Sequence, residues 1–232
     1  MEVLQKNLGK GYHKKTTKVP SYKTFVALIL PTVIITGLFY PLIGLFAFVC
    51  MAGAVILSFY KGRYWCYKFC PRGAFLDEFI SKLSFQRSVP QILKSVFSKA
   101  FWVVFFILMM AMNLIRSGGD IYKFGKGIVL LLWLTTLLAI IGGILSKPRT
   151  WCIVCPMGTI SGLVGKNKKS LKIDVNRCVE CKLCSKNCPM EIEVCSLKES
   201  EKVKSINCIR CETCANVCPK NAITSSEIKA AF

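Results

Sequence analysis

The stretch CVECKLCSKNCP, residues 178–189, and its echo CIRCETCANVCP, residues 208–219, decide how the C-terminal part of this chain is organised. Each copy packs three cysteines at Cys-x-x-Cys-x-x-Cys spacing into one tight loop and sends a fourth, followed by proline, further along the chain. Three thiolates in one loop can take three irons of a cubane, so each copy reads as a [4Fe-4S] ligand motif. Zinc sites use two cysteine pairs separated by a longer spacer, which does not match a triple spacing that occurs twice. Two [4Fe-4S] clusters, and with them an electron carrier, are the expectation.

In bacterial-type ferredoxins the fourth cysteine of each motif ligates the other cluster. That resemblance implies Cys178, Cys181, Cys184 and Cys218 around one cluster and Cys208, Cys211, Cys214 and Cys188 around the second. It also implies an α+β bacterial 2[4Fe-4S] ferredoxin-like domain over residues 166–232.

Outward from these motifs the chain changes character. Its 232 residues are 53% hydrophobic, with a mean hydropathy of +0.48, too apolar for a soluble ferredoxin of this length. Residues 25–60 contain no charged side chain. At about 1.5 Å per helical residue the stretch is longer than one crossing of a roughly 30 Å hydrocarbon core. Gly and Pro coincide at residues 37–41, which splits it into spans at 22–39 and 42–60; the alternative is a single helix kinked at Pro41. Two further spans are expected at 101–115 and 128–145, joined by a polar, Gly-rich loop at 116–126. The membrane domain is thus α-helical with four transmembrane helices, over residues 22–165, preceded by a basic arm at 1–21.

A formal charge of +20 invites a nucleic-acid reading, but the lysines are spread through every aqueous segment rather than gathered in one aromatic-laced patch. Six lysines fall in residues 1–24 and eight Lys or Arg in 60–99, against three after the third span, Arg116, Lys123 and Lys126. The positive-inside rule then places both termini and the 60–99 loop in the cytoplasm, the chain being a multi-pass protein of a prokaryotic cytoplasmic (inner) membrane. Fourteen cysteines in that reducing compartment suit metal binding better than disulfides. No apolar run precedes the first span, so no cleavable signal peptide is expected.

The membrane part carries its own repeat. RYWCYKFCPRG (63–73) follows the second span and RTWCIVCPMG (149–158) follows the fourth. Both fit Arg-x-Trp-Cys, a short spacer, then Cys-Pro-x-Gly. Each follows a pair of spans, so the domain reads as two repeated two-helix units, with both motifs on one face. A pseudo-twofold arrangement could bring Cys66, Cys70, Cys152 and Cys155 to one point at the cytoplasmic surface of the helices. Four thiolates there suit a third iron-sulfur cluster; the alternatives are dithiol pairs that cycle with disulfides, or packing of the helix ends. The spacers differ, three residues against two, which would make a shared site asymmetric.

Four spans, Cys-Pro pairs after spans two and four, and a C-terminal tandem motif together resemble the NapH and NosH type of membrane polyferredoxin, within a wider group that includes NosR and the CcoG-type oxidase-assembly proteins. The resemblance implies a membrane protein that passes electrons between cytoplasmic or quinone donors and a respiratory partner. Cys152 and Cys155 depart from the family's three-residue spacer. The extracytoplasmic flavin domain of NosR-like members and the immunoglobulin-like domain of CcoG-like members have no counterpart in these residues, which leaves the minimal NapH-like version as the nearest pattern.

His13 is the single histidine, so a bis-histidine haem within this chain is excluded. No Gly-x-Gly-x-x-Gly follows a predicted strand. Cys50 and Cys195 read as packing thiols. Residues 75–87 have the spacing of an amphipathic helix lying along the membrane surface, with Asp77 and Glu78 either on its solvated face or relaying protons to a bound quinone. Trp65 and Trp151 suit interfacial anchors or shields for a cluster. Lys166 begins a linker at 166–169.

The expected function is an integral-membrane electron-transfer subunit of an oxidoreductase complex. It would work among membrane lipid, a soluble cytoplasmic donor or acceptor, and a quinone or a flavin-, haem- or iron-sulfur-bearing partner, with no nucleic acid involved. The competing function is a biogenesis factor that reduces a metal or disulfide on a client respiratory enzyme. A redox sensor ranks last for want of an output domain.

Overall fold

The computed structural model describes residues 21–166, 170–200, 203 and 205–224; the arm at 1–20, most of the linker expected at 166–169, and 225–232 lie outside the described residues. Four long helices organise the first part: α1 (Ser21–Phe39), α2 (Phe46–Lys61), α7 (Val96–Ser117) and α8 (Ile121–Leu145). With the 3₁₀ turn Pro41–Leu45 leading into α2, all four are long and apolar enough to cross a membrane. Gly37 and Gly44, on either side of the α1–α2 turn, both lie against Val129 of α8, so the chain reverses here instead of continuing as one kinked helix.

The second pair begins earlier than hydropathy alone indicates. Ser95 caps α7 by accepting the Ser98 N–H (3.1 Å), which carries the helix back to Val96. Between α7 and α8 the expected loop at 116–126 shrinks to a turn. Gly118 and Gly119, at φ 55° and 85°, supply left-handed backbone, and Asp120 caps α8 by accepting the Tyr122 N–H at 3.0 Å. Gly125 belongs to the helix because the carbonyl of Pro41 leaves no room for a Cβ.

Each Cys-Pro motif forms a hairpin that dips between the long helices. After α2 come α3 (Tyr64–Lys68), α4 (Pro71–Phe75), a π-type turn Leu76–Ile80, α5 (Ser81–Leu83) and α6 (Gln91–Lys94). After α8 come α9 (Thr150–Val154) and α10 (Pro156–Val164). Proline at the first helical position starts α4 and α10 cleanly, because its missing N–H would have had no partner there.

The returning half-helices run parallel to α8 and α2. Arg72 bonds Thr135 (2.9 Å), Leu76 shares an apolar cluster with Ala139, Ile80 packs on Gly143, and the Ser84 hydroxyl reaches the Ser146 carbonyl (2.5 Å). Along α10, Ser161 faces the Ala54 carbonyl (3.5 Å) and Gly165 lies against Ser58. Steps of four match steps of four along both helix pairs, with one step of three past the end of α8 at Ser146, the signature of aligned helices. The run after Pro71 is therefore not a surface helix: Leu76 and Ile80, at 1% and 6% exposure, sit in a core with Trp151 and Val154.

The ferredoxin-like part begins with β1 (Lys172–Ile173) and ends with β2 (Ile223–Thr224), which pair antiparallel. Between them the two cysteine motifs repeat one conformation. Glu180 and Lys182 (φ 54° and 58°) correspond to Arg210 and Glu212 (59° and 57°), and Glu191 (50°) to Asn221 (49°). Short helices α11 (Leu183–Lys186) and α12 (Thr213–Asn216) hold the third cysteine of each loop. Leu171, Ile173, Val194, Val203 and Ile223 close a small core over them.

Candidate metal centres

Around the second motif the structure brings distant cysteines together. Cys188 lies within electrostatic range of Cys211 and Cys208, and Cys214 within range of Cys211, Cys208 and Cys188. Burial, foremost, pushes the Cys188 thiol up to about 11, although the Ile192 and Met190 amides donate to its sulfur. Iron binding would be what removes that proton. Other sulfurs are placed as acceptors: Thr213 donates to Cys211 Sγ (3.3 Å) and the Ala222 N–H to Cys218 Sγ (3.4 Å). Acceptor sulfurs in amide-rich loops fit cluster thiolates.

Cys181 and Cys184 lie together around the first motif, with Cys195 in range of both and of Cys178. Cys195 therefore stands beside a cysteine loop. Among the described residues no three His, Cys, Asp or Glu side chains sit close enough to share one metal ion. A cubane places each thiolate on its own iron and asks for wider spacing.

Cys66, Cys70, Cys152 and Cys155 all line one cavity of about 210 Å³, and Cys50 of α2 lines it as well. Cys152 lies within electrostatic range of the other three motif cysteines. The cavity is not at the helix ends. Arg72, beside Cys70 and Pro71, bonds Thr135, which lies ten residues before the end of α8, about 15 Å along its axis. Cys70 and Cys155, at the Cys-Pro turns, reach between the helices, while Cys66 and Cys152 lie on the side toward the cysteine motifs of the C-terminal part.

The arginine and glycine of the two motifs explain each other. Arg63 donates to the Cys152 carbonyl, and Arg149 donates to the Cys66 carbonyl at 2.9 Å. Gly158 packs against the Arg63 guanidinium, and a Cβ on Gly73 would come within 3.5 Å of Arg149. Each arginine thus crosses to the other motif; at Gly158 only glycine leaves room for the guanidinium, and at Gly73 only glycine leaves room for the Cys66 carbonyl that Arg149 bonds. The recurrence of this arginine and glycine at matched positions of the two motifs is the only trace of the exchange in the sequence.

The two arginines differ in their neighbours. Arg149, itself buried, forms a fork with the half-buried Asp77 (2.8 and 2.5 Å), so Asp77 is an ion-pair partner and not a freely solvated acid. Arg63, only 2% exposed, has two carbonyl partners, Cys152 and Ile206, and its Nε has none. Lys99, 6% exposed, adds positive charge nearby. Among the described residues no carboxylate balances Arg63 or Arg72. Buried cations need a counter-charge. Four cysteines holding a [4Fe-4S] cluster would bring about −2 to this cavity, so the residues present fit that group.

The tryptophans face inward. Trp151, 7% exposed, packs edge-on against Trp102 at 5.2 Å, while Trp65 covers Gly53 and lines the cavity. They wall the site and do not anchor helix ends. Glu78 keeps one buried carboxylate oxygen without a partner.

The ferredoxin-like part docks directly over this cavity. Cys188, Met190 and Ile209 share an apolar cluster with Val89, Cys152 and Ile153, against which Cys66 and Cys211 also pack. Polar ties surround the cluster: Arg63 to the Ile206 carbonyl (3.3 Å), Arg210 to the Gly165 carbonyl (3.2 Å), and Glu191 to Lys94 and Lys147. Gly162 lies against the Ile206 carbonyl so closely that a side chain there would displace the docked region.

A 4Fe-4S binding domain pattern matches residues 43–90 and again 129–173, and a second 4Fe-4S binding domain pattern matches 205–224. With four helices apolar enough to span a bilayer, these define an iron-sulfur membrane protein. The chain is similar to an uncharacterized protein of Methanocaldococcus jannaschii, 30% identical over 146 residues, which cover 61% of this chain and 57% of that one. It thus spans little more than half the length of this curated relative. No solved structure matches.

Proposed function

We propose that this protein is an integral-membrane electron-transfer subunit of the NapH/NosH type. Its ferredoxin-like part exchanges electrons with a soluble cytoplasmic partner and its membrane part with a quinone or a partner redox subunit. Bound clusters would supply one-electron chemistry. Cys208, Cys211, Cys214 and Cys188 hold the cluster nearer the membrane part, Cys178, Cys181, Cys184 and Cys218 the outer one, and Cys66, Cys70, Cys152 and Cys155 a third centre.

One observation carries this reading: the Cys188–Ile209 face is packed against the cysteine-lined cavity through an apolar cluster that Cys188 and Cys152 share. Two repeated units are supported by the twofold match of one 4Fe-4S pattern and by the reciprocal arginine–carbonyl bonds. The charge distribution supports a cytoplasmic position for the ferredoxin-like part in a prokaryotic inner membrane.

Iron and sulfide counting on anaerobically purified protein tests the third centre. About twelve irons are expected, and about eight for Cys66→Ser and Cys152→Ser variants. A wild-type count of about eight, unchanged by both substitutions, overturns the third cluster and turns the membrane cysteines toward the dithiol chemistry of a biogenesis factor.

A further inference from the structure

We propose that Glu191 is a positioning residue that clamps the inner cluster loop onto the membrane centre at electron-transfer distance; the inference rests on the electron-transfer reading above. The carboxylate side chain, 10% exposed, lies 2.6 Å from Lys94 Nζ through Oε2 and 3.1 Å from Lys147 Nζ through Oε1. The Val89 N–H donates to Oε2 at 3.1 Å. Val89 and Lys94 precede α7 and Lys147 follows α8, so one carboxylate gathers two separate segments of the membrane part. Glu191 itself stands three residues after Cys188, whose side chain shares the junction cluster with Val89 and Cys152.

The internal repeat supplies the control. Asn221 occupies the same position after Cys218, with φ 49° against 50° for Glu191. Asparagine is among the residues that tolerate left-handed backbone, and glutamate is not. The copy that faces the membrane part therefore carries the residue less suited to its own loop. Loop geometry does not ask for a carboxylate there, whereas two lysines and a backbone N–H across the junction do. Clamping at this point sets the separation of the Cys188 and Cys152 thiols, and electron tunnelling falls steeply with separation.

The test uses full-length holo-protein in nanodiscs and two readouts: hydrogen exchange of the Val89 amide, and the rate at which dithionite-reduced ferredoxin clusters are reoxidised by a quinone confined to the bilayer. Glu191→Asn, which suits the loop better, and Glu191→Gln should each lower Val89 protection and slow reoxidation by tenfold or more. Iron content and the ferredoxin EPR signals should not change. Lys94→Gln/Lys147→Gln should move both readouts the same way. Unchanged Val89 protection and rate in Glu191→Asn, or in the double lysine variant, overturns the clamp. A wild-type protein that delivers no electrons to the quinone counts against the electron-transfer reading, and Val89 exchange then still decides the clamp.

Discussion

In the first Cys-Pro hairpin Arg63 reaches across to the Cys152 carbonyl with no acid paired to it among the described residues, whereas in the second Arg149 reaches back to the Cys66 carbonyl while gripped by Asp77. The hairpins share a geometry and differ in charge. One arginine is internally neutralised and serves the fold; the other leaves a positive charge at the cavity for an anionic occupant to balance. Two hairpins of shared geometry thus present an asymmetric electrostatic field to the cavity that the four cysteines line.

The largest effect should come from breaking the neutralised side. Arg149→Met strands Asp77 and should cost about 3 kcal/mol of stability, the lower end for a buried pair because Asp77 keeps some solvent contact. Arg63→Met, losing carbonyl bonds only, should cost about 1–2 kcal/mol. Chemical unfolding of cluster-free protein in detergent measures both, and equal losses would erase the distinction.

A smaller effect sharpens it from the redox side. Arg63→Met should drive the potential of the membrane centre down by tens of millivolts, approaching the roughly 59 mV that corresponds to tenfold in a one-electron equilibrium. The charge-neutral pair Arg149→Met/Asp77→Leu should leave it nearly unmoved. Spectroelectrochemical titration in which both variants shift alike would show that Arg63 does not face the centre's charge.

Smallest is the pH response of the junction. Burial alone would raise the Glu191 carboxyl, but the bonds from Lys94, Lys147 and Val89 outweigh it and hold it below the usual range. A depressed carboxyl contributes stability above its unfolded value of about 4.3, and loses it as pH falls through its lower folded value. The stability difference between wild type and Glu191→Gln should stay constant from pH 7 to about 5 and shrink below 4. A difference already shrinking at pH 6 would put another group in control.

Cysteine spacing and hydropathy made the cysteine motifs and four long helices legible, because both are local signals. Residues 37–41 announced the first turn through Gly and Pro. The start of α7 was missed because Val96–Lys99 is polar enough to resemble a loop until Ser95 caps it. The amphipathic spacing expected over 75–87 is helical only as far as Leu83, and Leu76 and Ile80 face α8 and not a bilayer surface, which only a contact 63 positions away decides. Asp77 was misjudged for the same reason, its partner Arg149 being 72 residues on. Docking of the ferredoxin-like part left no local trace at all: Arg63 and Ile206 are 143 residues apart.

The parallel register of the half-helices also bears on how the chain is made. Arg72, Leu76 and Ile80 find their neighbours on α8, which the ribosome produces 63 residues later. Until then Arg72 lacks its Thr135 partner and α1 alone covers the start of α4, a poor species to leave in lipid. Insertion must therefore hold the first half open, or keep it out of the bilayer, until the second half arrives. Separately expressed halves should be unstable alone and recover only when made together.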